Sequence, residues 1–116
     1  MLLSTLDQPV YAAKADLFRA LGHPARIRIL ELLVESEQPV SSLLAETGLE
    51  PSTLSQHLAV VKRTGLVESS RKGNAVTYRL ADQSVGTFLA AARTVLASTL
   101  GRARRALEEL EGPLTP

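Results

Sequence analysis

The sequence predicts a mainly α fold with a small β-hairpin, in the order helix, helix, helix, helix, strand, strand, helix. Three observations predict it. Apolar residues recur at helical spacing through most of the chain. Glycine and proline interrupt that spacing at Gly22 and Pro24, at Gly48 and Pro51, and at Gly65. Between Leu66 and Leu80 the period changes, and β-forming residues flank a polar, glycine-containing turn. The 116 residues suit one domain, expected over 10–111, with a flexible leader at 1–9 and a flexible tail at 112–116.

The first helix runs from Val10 to Leu21, with Val10, Ala13, Leu17 and Leu21 at helical spacing and Phe18 beside them. Gly22-His23-Pro24 breaks it. Pro24 suits the first position of a second helix, because its missing N–H has no partner there anyway. His23 is read as the cap before it. This helix extends to about Val34, with Ile27, Leu30 and Leu33 or Val34 inward. Ser36 to Pro39 read as a polar loop. A short helix follows, Leu43 to Thr47, capped by Ser41 or Ser42 and closed by Gly48. Pro51 opens the fourth helix, whose Leu54, Leu58 and Val61 mark a buried face, and Gly65 ends it. Leu66 to Ser70 and Ala75 to Leu80 are the strands, joined by Arg71-Lys72-Gly73-Asn74. From about Ser84 to Glu111 one long helix remains, with Asp82 as its N-terminal cap. Two helices joined by a tight turn, followed by a basic hairpin, make a winged helix-turn-helix.

Composition removes several function classes. The chain has no cysteine, which excludes disulfides, thiolate metal sites and cysteine nucleophiles within it. His23 and His57 are its only imidazoles. Aromatic residues are 3%, too few for stacking platforms on single-stranded nucleic acid. It lacks a paired-histidine motif, a glycine-rich phosphate loop and an evident Ser-His-Asp set, so no enzyme is expected. No apolar run reaches the roughly 20 residues of a membrane span, and no secretory leader is evident. The cytoplasm is the expected compartment.

The net charge is +1, but it is unevenly spread. Residues 1–50 carry four Lys/Arg against seven Asp/Glu, a balance of −3. Residues 51–80 carry Lys62, Arg63, Arg71, Lys72 and Arg79 against Glu68 alone, a balance of +4. This island is either an ordinary solvated surface or a surface for phosphates. The helix from Pro51 supports the second reading. Outside its buried face lie Ser52, Thr53, Ser55, Gln56, Lys62 and Arg63. Glutamine can pair with adenine in two hydrogen bonds, hydroxyls reach bases or phosphates, and Lys and Arg neutralise phosphates. Ser and Thr are poor helix formers, yet here they gather in the half of the helix that would enter a major groove. His57 is either a packed or capping residue or a phosphate contact. At the hairpin tip, Arg71, Lys72 and Asn74 surround Gly73, as in a wing laid along the backbone or into the minor groove.

At these residues the chain resembles the ArsR/SmtB family of bacterial repressors. The matching stretches are Leu17-Phe-Arg-Ala-Leu-Gly-His-Pro-Ala-Arg-Ile-Arg-Ile-Leu30, Ser55-Gln-His-Leu58, Lys62-Arg-Thr-Gly-Leu-Val67 and Gly73 to Leu80. The resemblance covers about residues 12–100. It implies a homodimeric repressor of transcription that binds a palindromic operator in double-stranded DNA and is released by an inducer, often a metal ion. The family's thiolate positions fall here on Pro39 and Ser41, with a third on Leu44. Its metal positions on the last helix fall on Asp82, Ser84, Val95 and Ser98. Asp82 alone can ligate, against the about four donors a tight zinc site takes. No metal and no cofactor are therefore expected, and the sequence names no inducer.

The last helix carries Val85, Leu89, Ala92, Leu96, Thr99, Ala103, Ala106 and Leu110 at alternating spacings of four and three. That is a heptad seam with one large and one small row. The seam packs on its own core or meets a partner chain. Val10, Ala13 and Leu17 with Leu89, Ala92, Leu96, Thr99 and Ala103 are the expected dimer contacts. Gly86 and Gly101 lower helix propensity, with a bend expected at Gly101. The alternative to a DNA-binding regulator is a protein-interaction module on the same fold without specific DNA binding. The excess of cations over residues 51–80 argues against it.

Overall fold

A computed structural model describes residues 7–112. Residues 1–6 and 113–116, which hold most of the expected leader and tail, lie outside the described residues. The elements are α1 (Val10–Leu21), α2 (Pro24–Glu35), β1 (Gln38–Pro39), α3 (Val40–Thr47), α4 (Pro51–Arg63), β2 (Val67–Lys72), β3 (Ala75–Leu80) and α5 (Gln83–Glu111). The described residues fall into two compact units divided between Gly86 and Thr87.

In the first unit α2 is the central helix. His23 caps it, its Nδ1 accepting from the Ala25 amide at 3.0 Å, and Pro24 takes the first turn. α2 packs against α1, α3, α4 and β3. With neighbours on several sides it buries more than one stripe: Ile29, Leu30, Leu32 and Leu33 are buried, Ile27 is half-buried and Val34 is exposed. The helical spacing alone identified Leu30 and Leu33 but missed Ile29 and Leu32.

Three details differ from the sequence reading. The loop before α3 contains a strand: Gln38 pairs with Tyr78 and Pro39 with Thr77, antiparallel, giving a three-stranded sheet in the order β1-β3-β2. A proline fits here because β1 is an edge strand. Second, α3 starts at Val40 with Pro39 before it and no side-chain cap. Ser42 instead donates to Gln38 Oε1 at 2.7 Å, and Ser41 is exposed. Third, Arg71 and Lys72 belong to β2, paired with Val76 and Ala75. The turn needs only Gly73 and Asn74, because Gly73 takes φ +63° at the first turn position, where a tight hairpin demands a positive φ.

α3 ends at Gly48, whose amide donates to the Leu44 carbonyl at 2.9 Å. α4 closes with a Schellman motif: the Leu66 amide donates to the Val61 carbonyl at 2.9 Å and the Gly65 amide to that of Lys62 at 3.0 Å. Leu66 and Val67 are thereby delivered into the core. Ser70 and Thr77 face each other across the hairpin, their hydroxyls 3.0 Å apart, and Thr77 is buried. Asp82 caps α5, its Oδ1 accepting from the Ser84 amide at 2.8 Å. α5 is a continuous helix of 29 residues. Val95, Leu96, Leu100, Leu107 and Leu110 on it are exposed. Among the described residues no helix is long and apolar enough to cross a membrane.

Candidate nucleic-acid interface

α4 is held on one side and open on the other. Leu54, Leu58 and Val61 are buried, and α4 packs against α1, α2 and β2. Ser52, Ser55, Gln56 and Arg63 are exposed. With Ala59, also exposed, they are spaced i, i+3, i+4, i+7 and i+11, which is one helical face. Sequence analysis passed over Ala59. Its place three residues after Gln56 was the available signal, and its methyl is the kind of group that meets a thymine methyl. Thr53, expected to face outward, is half-buried. It shares a flank with His57, Val60 and Thr64, each also half-buried, because that row borders the packed face.

His57 has a defined surrounding. Its Nδ1 lies 3.3 Å from Arg26 Nη1, and its ring leans on that of His23 with centroids 4.4 Å apart. The same Arg26 donates through Nε to the Ala20 carbonyl at 2.6 Å and through Nη2 to the Arg19 carbonyl at 3.2 Å. One guanidinium thus joins the C-terminal end of α1 to the middle of α4. Burial holds the His57 imidazole below the ordinary histidine range, and the charges of His23 and Arg26 act in the same direction. His57 is less open than Ser55 and Gln56 beside it.

The cations fall into two groups. Lys62 donates to Ser69 Oγ at 2.8 Å, tying the last turn of α4 to β2. Lys72 Nζ lies 2.5 Å from Glu37 Oε1, and Arg79 Nη2 lies 2.6 Å from Glu68 Oε2. Arg63 and Arg71 are exposed and have no acidic partner among the described residues. Asn74 is exposed at the turn. The open side of α4 thus presents hydroxyls, an amide and a methyl, while unpaired guanidinium groups stand at its end and on the hairpin. Such a set can read base edges and hold phosphates.

The chain matches the model of the bacterial regulatory protein, arsR family, over residues 23–69, which spans α2, α3, α4 and the start of the hairpin. It is 49% identical over 105 residues to the uncharacterized HTH-type transcriptional regulator Rv0081 of Mycobacterium tuberculosis, covering 90% of this chain and 92% of that one. The chain belongs to the ArsR family. This ArsR-family protein is a transcriptional regulator with a winged helix-turn-helix fold, not an enzyme. The crystal structure of M. tuberculosis Rv0081 superposes with a TM-score of 0.78, covering 84% of this chain and 98% of that one. A solution structure from Mycobacterium bovis, described as the homodimeric winged helix-turn-helix DNA-binding domain of Mb0332, superposes with a TM-score of 0.70 at 32% identity, covering 76% of this chain and 82% of that one. The biofilm growth-associated repressor of Xylella fastidiosa is 35% identical over 81 residues, 70% of this chain and 71% of that protein.

On the remaining expected site residues, Val10 is exposed while Ala13, Leu17 and Leu89 are half-buried. Ala92, Leu96, Thr99 and Ala103 are exposed. Leu100 and Leu107, also exposed, were absent from the expected seam. With Leu96, Ala103 and Leu110 they form a more apolar row, at spacings of four, three, four and three. Thr99 spends its hydroxyl on the Val95 carbonyl at 2.9 Å. Among the described residues no three His, Asp or Glu side chains gather as a metal ion would need.

Proposed function

We propose that this ArsR-family regulator is a cytoplasmic repressor that binds a palindromic operator as a homodimer. The observation that carries the reading is the exposed row Ser52, Ser55, Gln56, Ala59 and Arg63 on α4, set beside a hairpin that carries Arg71 and Lys72. A single row of small polar groups on a helix anchored by three buried residues is what major-groove readout requires. Ser52, Ser55 and Gln56 meet base edges. Arg63, Arg71 and Asn74 meet the backbone or the minor groove, and Lys62 and Lys72 follow when their present partners give way. Thr53 and His57 seat the helix.

The homodimer uses the exposed apolar row of α5 together with Val10, Ala13 and Leu17 of α1. The homodimeric Mb0332 domain and the repressor of Xylella are consistent with both parts of the proposal. Two recognition helices related by a two-fold axis require half-sites roughly one helical turn apart or more.

The test is fluorescence anisotropy on a duplex taken from upstream of the chain's own coding region, against a scrambled duplex of equal length. Preference for the first, with two protomers per duplex, is expected. Equal and weak binding to both returns the chain to the class of protein-interaction modules.

A further inference from the structure

We infer that Glu37 is a built-in competitor for the DNA backbone, holding Lys72 of the hairpin in an internal ion pair that a phosphate must displace. The inference rests on the DNA-binding reading above and adds to it a residue that tunes affinity. Glu37 lies outside the recognition helix and outside the hairpin. It stands immediately before β1, whose pairing of Gln38 with Tyr78 and Pro39 with Thr77 fixes the approach of this segment to the sheet. From there its Oε1 reaches Lys72 Nζ at 2.5 Å, across 35 positions of sequence. The Lys72 hydrogen bond, with the charges of Lys72 and Arg79, holds the Glu37 carboxyl below the ordinary carboxylate range. It is therefore ionised wherever DNA binding would be measured.

The consequence follows from charge counting. A paired Lys72 and Glu37 present no net charge to DNA, so the pair condenses no phosphate and releases no counterion. An exposed pair of this kind is held only weakly, so a phosphate can take the ammonium over, but the freed carboxylate then stays beside the incoming phosphate. On the hairpin this leaves Arg71 as the cation of the strand end without an acidic partner among the described residues. The contribution withheld is a backbone contribution and carries no sequence information. Glu37 therefore lowers affinity for every duplex by the same factor. In a dimer the effect is present twice.

The experiment compares wild type, Glu37→Gln and the double variant Glu37→Gln/Lys72→Ala by anisotropy on the upstream duplex and a scrambled duplex over a series of salt concentrations. Glutamine keeps the shape and removes the charge at an exposed position, and circular dichroism checks that the fold is retained. Glu37→Gln should tighten both duplexes by the same factor. It should steepen the slope of log K against log salt by about 1.8, two phosphates at about 0.9 each. The gain should then shrink roughly twelvefold between about 50 and 200 mM salt. The double variant should lose the gain. Unchanged affinity and slope in Glu37→Gln, with wild type binding normally, overturns the inference and leaves the DNA-binding reading standing. A gain that survives Lys72→Ala also overturns it, because the effect would then be one of general charge. Wild type that binds neither duplex removes the DNA-binding reading and the inference with it.

Discussion

Replacing Arg71 by alanine separates backbone contacts from base contacts. Arg71 sits one residue before the end of β2, paired with Val76, exposed and without an acidic partner among the described residues. Its whole charge is open to a phosphate. Its removal touches no buried group, so stability should stay within about 0.5 kcal/mol of wild type. Each guanidinium that neutralises a phosphate adds about 0.9 to the slope of log K against log salt. A dimer carries two, so Arg71→Ala should make the slope shallower by about 1.8. A fourfold rise in salt, from about 50 to 200 mM, should then narrow the gap between wild type and variant roughly twelvefold. The loss should be the same on an operator and on a scrambled duplex. Gln56→Ala should behave in the opposite way. Gln56 is on the exposed row of α4, and a lost two-bond base contact costs about 1–3 kcal/mol. The operator should weaken by roughly five- to 150-fold, base preference should relax at one position in each half-site, and the salt slope should stay unchanged. The assay is anisotropy titration of both duplexes at four or more salt concentrations. The reasoning is refuted if Gln56→Ala leaves selectivity untouched while Arg71→Ala changes which bases are preferred.

Other outcomes follow from the same geometry. Leu100→Glu places a charge in the exposed apolar row of α5, and light scattering at micromolar concentration should show the 12.4 kDa chain as a monomer, with operator binding lost in parallel. Because His57 holds its proton less tightly in the folded chain than in the unfolded one, chiefly through burial, the unfolded state takes up more protons as pH falls. Stability should therefore decline from about pH 6.5 downward, above the range in which carboxylates titrate, and a urea midpoint measured across that range should fall less in His57→Gln. Zinc, cadmium and arsenite should leave operator binding unchanged at near-stoichiometric concentration, since Pro39, Ser41, Val95 and Ser98 occupy the positions the family uses for ligands. Metal-dependent release reversed by a chelator would contradict this.

Much of the fold was legible because its boundaries are local events. Pro24 and Pro51 start helices and Gly48 and Gly65 end them through backbone rules that act within a few residues, so α1 and β3 fall where the spacing put them. The hydrophobic period identified Leu54, Leu58 and Val61, and with them the open face of α4, because α4 is packed along one side. The resemblance carried by Ser55-Gln-His-Leu58 and its neighbours then named the family.

What the tertiary structure decided are the contacts between segments distant in sequence. β1 is two residues long, too short for any period, and exists only because β3 offers it a ladder. α2 buries Ile29 and Leu32 as well as Leu30 and Leu33, since neighbours surround it and a single stripe underestimates such a helix. The partners of the basic residues were equally out of reach. Sequence counts Lys72 and Arg71 as equal cations of one turn, yet Lys72 is joined to Glu37 and Arg71 is not. Arg26, read from the sequence only as part of a motif, links α1 to α4 through His57. A side chain's charge and shape are fixed by its type, but its partner is chosen by which backbone the fold brings within reach. In this protein that choice determines which cations stand free for DNA.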